Sequence, residues 1–233
     1  MKQSQAKKRD NAMTNKILMG LIALVLGLLF LEILIVHSKN EQQKNASNQV
    51  QTARIMANGD LLYHDGLYMS ALQSDGSYDF TENFTYVKPW LQQADLVLGD
   101  FEGTINPDYP LSGYPLFNAP QSVTAAIKDA GYDVMDLAHN HILDSGLEGA
   151  FTTADAFKKV GIDPIGVYEK PVRDKAPLLI KNVNGIKVAI LSYAYGYNGL
   201  ESNLTDKEVA DHLSNLDEKR MKAEIQRAEK EAD

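Results

Sequence analysis

The sequence predicts an α/β domain with a largely parallel sheet, preceded by one membrane-spanning helix. Two observations predict the domain: short apolar runs alternate with helical patterns from residue 53 onward, and the runs end in polar clusters. A third predicts the helix, a twenty-residue apolar run near the N-terminus.

That run, ILMGLIALVLGLLFLEILIV from Ile17 to Val36, covers about 30 Å at helical rise, the thickness of a bilayer hydrocarbon core. Lys2, Lys7, Lys8, Arg9 and Lys16 precede it against the single acid Asp10, so residues 1–16 are expected in the cytoplasm and everything after His37 outside. The alternative is a cleaved signal peptide, which the length of the run and the lack of a nearby small-x-small site disfavour. Glu32 sits one turn from the outer end, close enough for its carboxylate to reach the interface. Residues 37–52 are polar and rich in Asn and Gln, the composition of a flexible linker, and residues 53–233 form the external domain.

The net charge of −8 is unevenly spread: the first sixteen residues carry +4, leaving −12 on the remainder. An acidic external part argues against a nucleic-acid or anionic-lipid surface and suits a protein that handles cations or one that needs only solubility. Cysteine is absent, so the exported domain rests on its core without disulfides, as on a bacterial surface.

Along the domain the strand runs are ARIMANG, DLVLGD and DVMDLAH, and the helical patterns are FTENFTYVKPWLQQA, SVTAAIKDAG and LEGAFTTADAFKKVG. Ser122 precedes one helix, and Ser145 with Glu148 spells a capping box for another. Gly131 and Gly161 mark their C-terminal ends. Asn184-Gly185 between two apolar stretches predicts a hairpin. From Thr205 a second capping box, with Glu208, opens one amphipathic helix running to the end of the chain. A domain that ends on this helix with no strand after it is expected to be the N-terminal portion of a longer one.

Open α/β sheets place their sites at the carboxyl ends of strands. The first strand runs into Asp60, followed by His64 and Asp65. The second ends in Gly99-Asp100-Phe101-Glu102, and the third in His139-Asn140-His141 with Asp144 beyond. Strand ends that converge in space bring oxygen and imidazole donors together, a set suited to Mn, Fe or Zn. With two metals, Asp100 would bridge them, Asp60 would bind one and Asn140 the other through its carbonyl oxygen. His141 would protonate a leaving oxygen, and Asp144 would either orient His141 or cap the helix that follows, the capping role being the simpler. A P-loop, a G-x-S-x-G elbow, a dinucleotide fingerprint and a cysteine nucleophile are all missing. The tyrosines of SYAYGYN suit either a polymer groove or ordinary strand packing, and packing is the commoner use.

NGDLLYHDG, ADLVLGDFEGTI, FNAP (Phe117 to Pro120), AGYDVMDLAHNHILDSG and VNGIKVAILSYAYG occur in that order between Arg54 and about Tyr195. In these motifs the chain resembles the bacterial capsule synthesis CapA family, known also as PgsA of poly-γ-glutamate synthesis. The resemblance implies a calcineurin-like metallophosphoesterase fold and metal or site roles for Asp60, Asp100, Asn140 and His141, with Glu102 and Asp144 as motif companions. Many members carry Asn where this chain has Asp100. In the wider phosphoesterase pattern a His stands where this chain has Leu62, leaving His64 as a candidate replacement ligand. The family pattern continues into further ligand-bearing strands not found in this sequence. It also implies capsule or poly-γ-glutamate synthase and export subunits as partners, an anionic polymer as a further one, and either an export accessory or a metal-dependent hydrolase as the activity.

Overall fold

The computed structural model describes Met19 and residues 28–39, 50–171 and 176–233. The predicted cytoplasmic tail and most of the linker lie outside the described residues, and so does the predicted span apart from Met19 and residues 28–36. Residues 28–39 form a helix, α1. No helix among the described residues is long and apolar enough to cross a membrane. The chain divides into two compact units, Met1–Val50 and Gln51–Asp233.

The second unit is built on four parallel strands in sequential order, β1 (Ile55–Asp60), β2 (Leu96–Asp100), β3 (Val134–Asp136) and β4 (Asp163–Ile165). The first three were legible as apolar runs; β4 is only three residues long and contains Pro164, which hid it. The expected helix over FTENFTYVKPWLQQA is instead a 3-10 turn, Thr81–Phe84, and a single turn, α3 (Lys88–Leu91). Pro89 sits at the start of α3, where its missing N–H costs nothing, but it cannot continue a helix arriving from Phe84. A helix the sequence reading did not foresee, α2 (Asp65–Ala71), follows β1 directly.

Helices α4 (Val123–Ala130) and α5 (Gly146–Lys159) match the predicted patterns. Gly131 closes α4 in a left-handed conformation at φ 115°. The Ser145 capping box does not form: Ser145 makes no side-chain cap and its hydroxyl donates to Thr104 Oγ1 at 2.8 Å. Its burial at 4 % exposure makes a bond to a buried partner more valuable than one to a helix terminus.

Period-two alternation divides the strands' side chains between two faces. Val97, Met135 and Leu137 join Ile127, Ala154 and Phe157 from α4 and α5 in the main core. Leu96 and Val134 point the other way, to Val183 and the partly buried Leu179, Val188 and Ile190 of the hairpin β5 (Leu179–Val183) and β6 (Ile186–Ile190). Burying each such side chain contributes roughly 1.5–3 kcal/mol. The hairpin turns on Asn184 and Gly185, both at positive φ as that two-residue turn requires.

The predicted long C-terminal helix is two helices, α6 (Asp206–His212) and α7 (Glu218–Glu231). The Thr205–Glu208 capping box does form on α6. The chain breaks between them because Leu213 and Ser214 are buried against the sheet end: Ser214 N donates to Gly166 O at 3.0 Å and Ala194 N to Ser214 O at 2.7 Å. Two tertiary backbone bonds thus outweigh helical continuity.

Candidate metal centre

Three parallel strands deliver a carboxylate each to one end of the sheet. Asp60 closes β1, Asp100 closes β2, and Asp136 closes β3 in direct register with Asp100. Beyond Asp100 the chain passes Phe101, fully buried in the core, and presents Glu102 on the same side. Ligand oxygens of Asp60, Asp100 and Glu102 all lie within 4.8 Å of one another.

Burial acts on Asp100 first, and the charges of Asp136, Glu102 and Asp60 add to it, pushing its carboxyl up to about 7. Glu102 is raised by burial and then by Asp60. Asp136 is raised by burial, partly offset by a hydrogen bond from the Ser192 hydroxyl and by backbone donors. Among the described residues no lysine or arginine forms an ion pair with any of the four. Asp100 Oδ1 is buried without a hydrogen-bond partner. Clustered carboxylates with an orphaned buried oxygen fit a divalent cation, which would satisfy that oxygen and offset the repulsion.

The loop after β3 supplies the nitrogen donors. His139 is buried, its Nδ1 accepts from His141 N at 3.2 Å, and burial, with His141 adding, pushes its pKa down to about 3. It is a neutral ring whose Nε2 is buried without a partner. Asn140 is exposed on a groove of about 600 Å³ that Asp100, Glu102 and His139 also line. Tyr193 to Gly199 with Glu201, the return from the hairpin, line the same groove.

His141 and Asp144 form a pair. Asp144 Oδ2 meets His141 Nδ1 at 2.8 Å and accepts from Phe117 N at 2.6 Å. Asp144 therefore orients His141; the capping role considered from the sequence is not the one it takes. The Phe117 ring stands edge-on to His141 with centroids 4.8 Å apart, which gives the FNAP loop its part: it holds both members of the pair. With Nδ1 engaged, His141 keeps Nε2 free to carry a proton. Burial raises the Asp144 carboxyl despite the lowering effect of these bonds.

His64 is not brought into the carboxylate group. Its Nδ1 caps α2, accepting from Asp65 N at 2.8 Å beside the Asp65 carboxylate, and its Nε2 lies 3.4 Å from Tyr114 N. Its ring is committed to the 113–117 loop; a Cβ on Gly113 would come within 2.8 Å of it. The structure also adds Asp136, Ser192 and Asn198, which the sequence reading did not single out. The register of β3 beside Asp100 is the signal that could have found Asp136.

A family model described as "Bacterial capsule synthesis protein PGA_cap" matches residues 54–233. Among curated proteins, "Capsule biosynthesis protein CapA" of Bacillus anthracis is 33% identical over 115 residues, 47% of this chain and 28% of that protein. "PGA biosynthesis protein CapA" of Bacillus subtilis (strain 168) is 25% identical over 189 residues, 80% of this chain and 48% of that protein. "Uncharacterized protein y4sH" of Sinorhizobium fredii is 27% identical over 160 residues, 65% of this chain and 32% of that protein. The chain spans about half or less of the length of these relatives.

Proposed function

The chain belongs to the bacterial capsule synthesis protein family PGA_cap, and from that premise we propose that it serves the assembly or export of capsule or poly-γ-glutamate at the outer face of a bacterial membrane. In this reading Ile17 to Val36 anchor it, and a metallophosphoesterase-like domain holds a divalent cation, Mn, Fe or Zn, through Asp60, Asp100 and Glu102. Capsule or poly-γ-glutamate synthase and export subunits, and an anionic polymer, are its proposed partners.

The observation that carries the metal reading is the convergence of three carboxylates within 4.8 Å with no counter-cation among the described residues. When bound, a divalent cation supplies positive charge to these oxygens and to a phosphoryl or carboxylate oxygen entering the groove. Asp60, Asp100 and Glu102 would hold the cation through their carboxylate oxygens, and Asn140, which lines the same groove, would offer a neutral carbonyl oxygen. Among the described residues no lysine or arginine lines the acidic groove, so an anionic polymer reaches it only with the carboxylates neutralised.

A second reading, a metal-dependent phosphoester hydrolase acting on an envelope intermediate, is favoured by the His141–Asp144 pair. Asp144 orients the imidazole, and His141 Nε2 holds a proton for a leaving oxygen. Turnover of phosphomonoesters and phosphodiesters by the Mn²⁺-loaded chain separates the two readings. Metal retention without turnover supports the accessory role; turnover that His141→Ala abolishes supports the hydrolase. Absence of metal binding sinks the hydrolase and the metal site, and leaves an accessory role that rests on binding polymer.

A further inference from the structure

The return loop from the hairpin brings Asn198 into the lining of the groove that Asp100, Glu102 and Asn140 share. Its anchorage is tertiary. Ser192, at the start of the loop, donates to Asp136 at the end of β3, and Ala194 is held by Ser214 O at 2.7 Å and by Leu216 N at 2.8 Å. Asn198 itself sits in the left-handed region at φ 54°, and Gly199 follows at φ 82°. That backbone alone would explain an asparagine, since Asn tolerates left-handed geometry better than most residues. Its side chain does something further.

Asn140 Nδ2 donates to Asn198 Oδ1 at 3.2 Å. An asparagine is a metal ligand only through its carbonyl oxygen, and its amide can rotate to present either end. An acceptor placed on the nitrogen decides which end is left for the groove. Asn198 Nδ2 also lies 3.5 Å from His141 Nδ1, but that nitrogen gives its proton to Asp144 at 2.8 Å and has no lone pair to accept another. The working contact of Asn198 is therefore the one to Asn140. We infer that Asn198 is a positioning residue: by accepting the Asn140 amide hydrogen it fixes the Asn140 carbonyl oxygen as the atom offered to a divalent cation.

This inference rests on the metal-site reading above, and the test keeps the two apart. Mn²⁺ affinity is measured by titration calorimetry on the full chain in detergent, for the parent and for Asn198→Gly, Asn198→Asp, Asn140→Asp and the double variant Asn140→Asp/Asn198→Gly. Glycine keeps the left-handed backbone and removes only the side chain. Removing a group that orients a metal ligand typically weakens binding roughly 10- to 100-fold, and Asn198→Gly is expected in that range. Aspartate at 198 can only accept, so it keeps the clamp and rescues binding. An aspartate at 140 offers oxygen at either end, so in that background Asn198→Gly is expected to change affinity less than about twofold, well under the lower bound of that range. Equal weakening in both backgrounds would mark a structural role and overturn the inference, as would an Asn198→Gly chain that binds like the parent. A parent that binds no Mn²⁺ removes the metal reading itself and this inference with it.

Discussion

Replacing Asp100 with Asn removes one charge from the centre of the carboxylate group while keeping its shape and its oxygen. Asp100 is raised from 3.8 to about 7 by burial and by three neighbouring carboxylates. A group whose folded-state pKa lies above its unfolded value stabilises the fold only while protonated. Its contribution is fully present below about pH 4 and is lost as pH rises to about 7. At about 1.4 kcal/mol per pH unit the gap amounts to roughly 4 kcal/mol, and solvent screening at a partly exposed group reduces this to about 2 kcal/mol. The metal-free Asp100→Asn chain should therefore be more stable than the parent by about 2 kcal/mol at pH 8, a Tm higher by roughly 4–8 °C for a domain of this size. The advantage should shrink toward zero near pH 4. Thermal unfolding followed by circular dichroism in EDTA across pH 4 to 8 measures both. A variant less stable than the parent at pH 8, or an advantage that does not fade in acid, refutes the claim that repulsion and burial strain Asp100.

Three further outcomes are expected. If the chain turns over phosphoesters, His141→Ala should lower kcat about 10²- to 10⁴-fold, the usual worth of a positioned general acid, and Asp144→Asn should lower it less; steady-state kinetics with Mn²⁺ decide. Gly166→Ala should cost about 3 kcal/mol in denaturant unfolding, because Gly166 stands at φ 101° and an added Cβ would lie 2.5 Å from Ala138 N. Since Ala138 opens the loop carrying His139 to His141, the variant should also bind Mn²⁺ more weakly than its residual folded fraction explains. A chain lacking residues 1–36 should leave the membrane fraction while the full chain pellets with it; equal partitioning on ultracentrifugation would remove the anchor.

The features that sequence revealed are those written locally. Apolar runs closing in Asp60 and Asp100 gave two strand ends, Asn184-Gly185 gave the hairpin, and the Thr205–Glu208 box gave the start of α6. The parallel sheet followed from alternation. What stayed hidden depends on partners distant in the chain. Asp136 sits inside a run read for its apolar residues, and only its register with Asp100 makes it part of the group. Asn198 meets Asn140 across 58 positions, so no local pattern connects them. Ser145 and Glu148 spell a capping box, yet a buried bond to Thr104 claims the hydroxyl. His64 looked like a ligand by proximity to Asp60 in sequence, but a helix begins at Asp65 and the ring caps it. The break after His212 follows from backbone bonds to Gly166 and Ala194, which an amphipathic period cannot register.

In the proposed metal site Asp60, Asp100 and Glu102 together hold a divalent cation. Mn²⁺ titration of the parent chain beside Asp60→Ala, Asp100→Ala and Glu102→Ala tests it most directly, with circular dichroism showing that each variant is folded. Saturable binding by the parent, weakened in every variant and most in Asp100→Ala, is the predicted result. A folded parent that binds no Mn²⁺, Fe²⁺ or Zn²⁺, or variants that bind as the parent does, would contradict it.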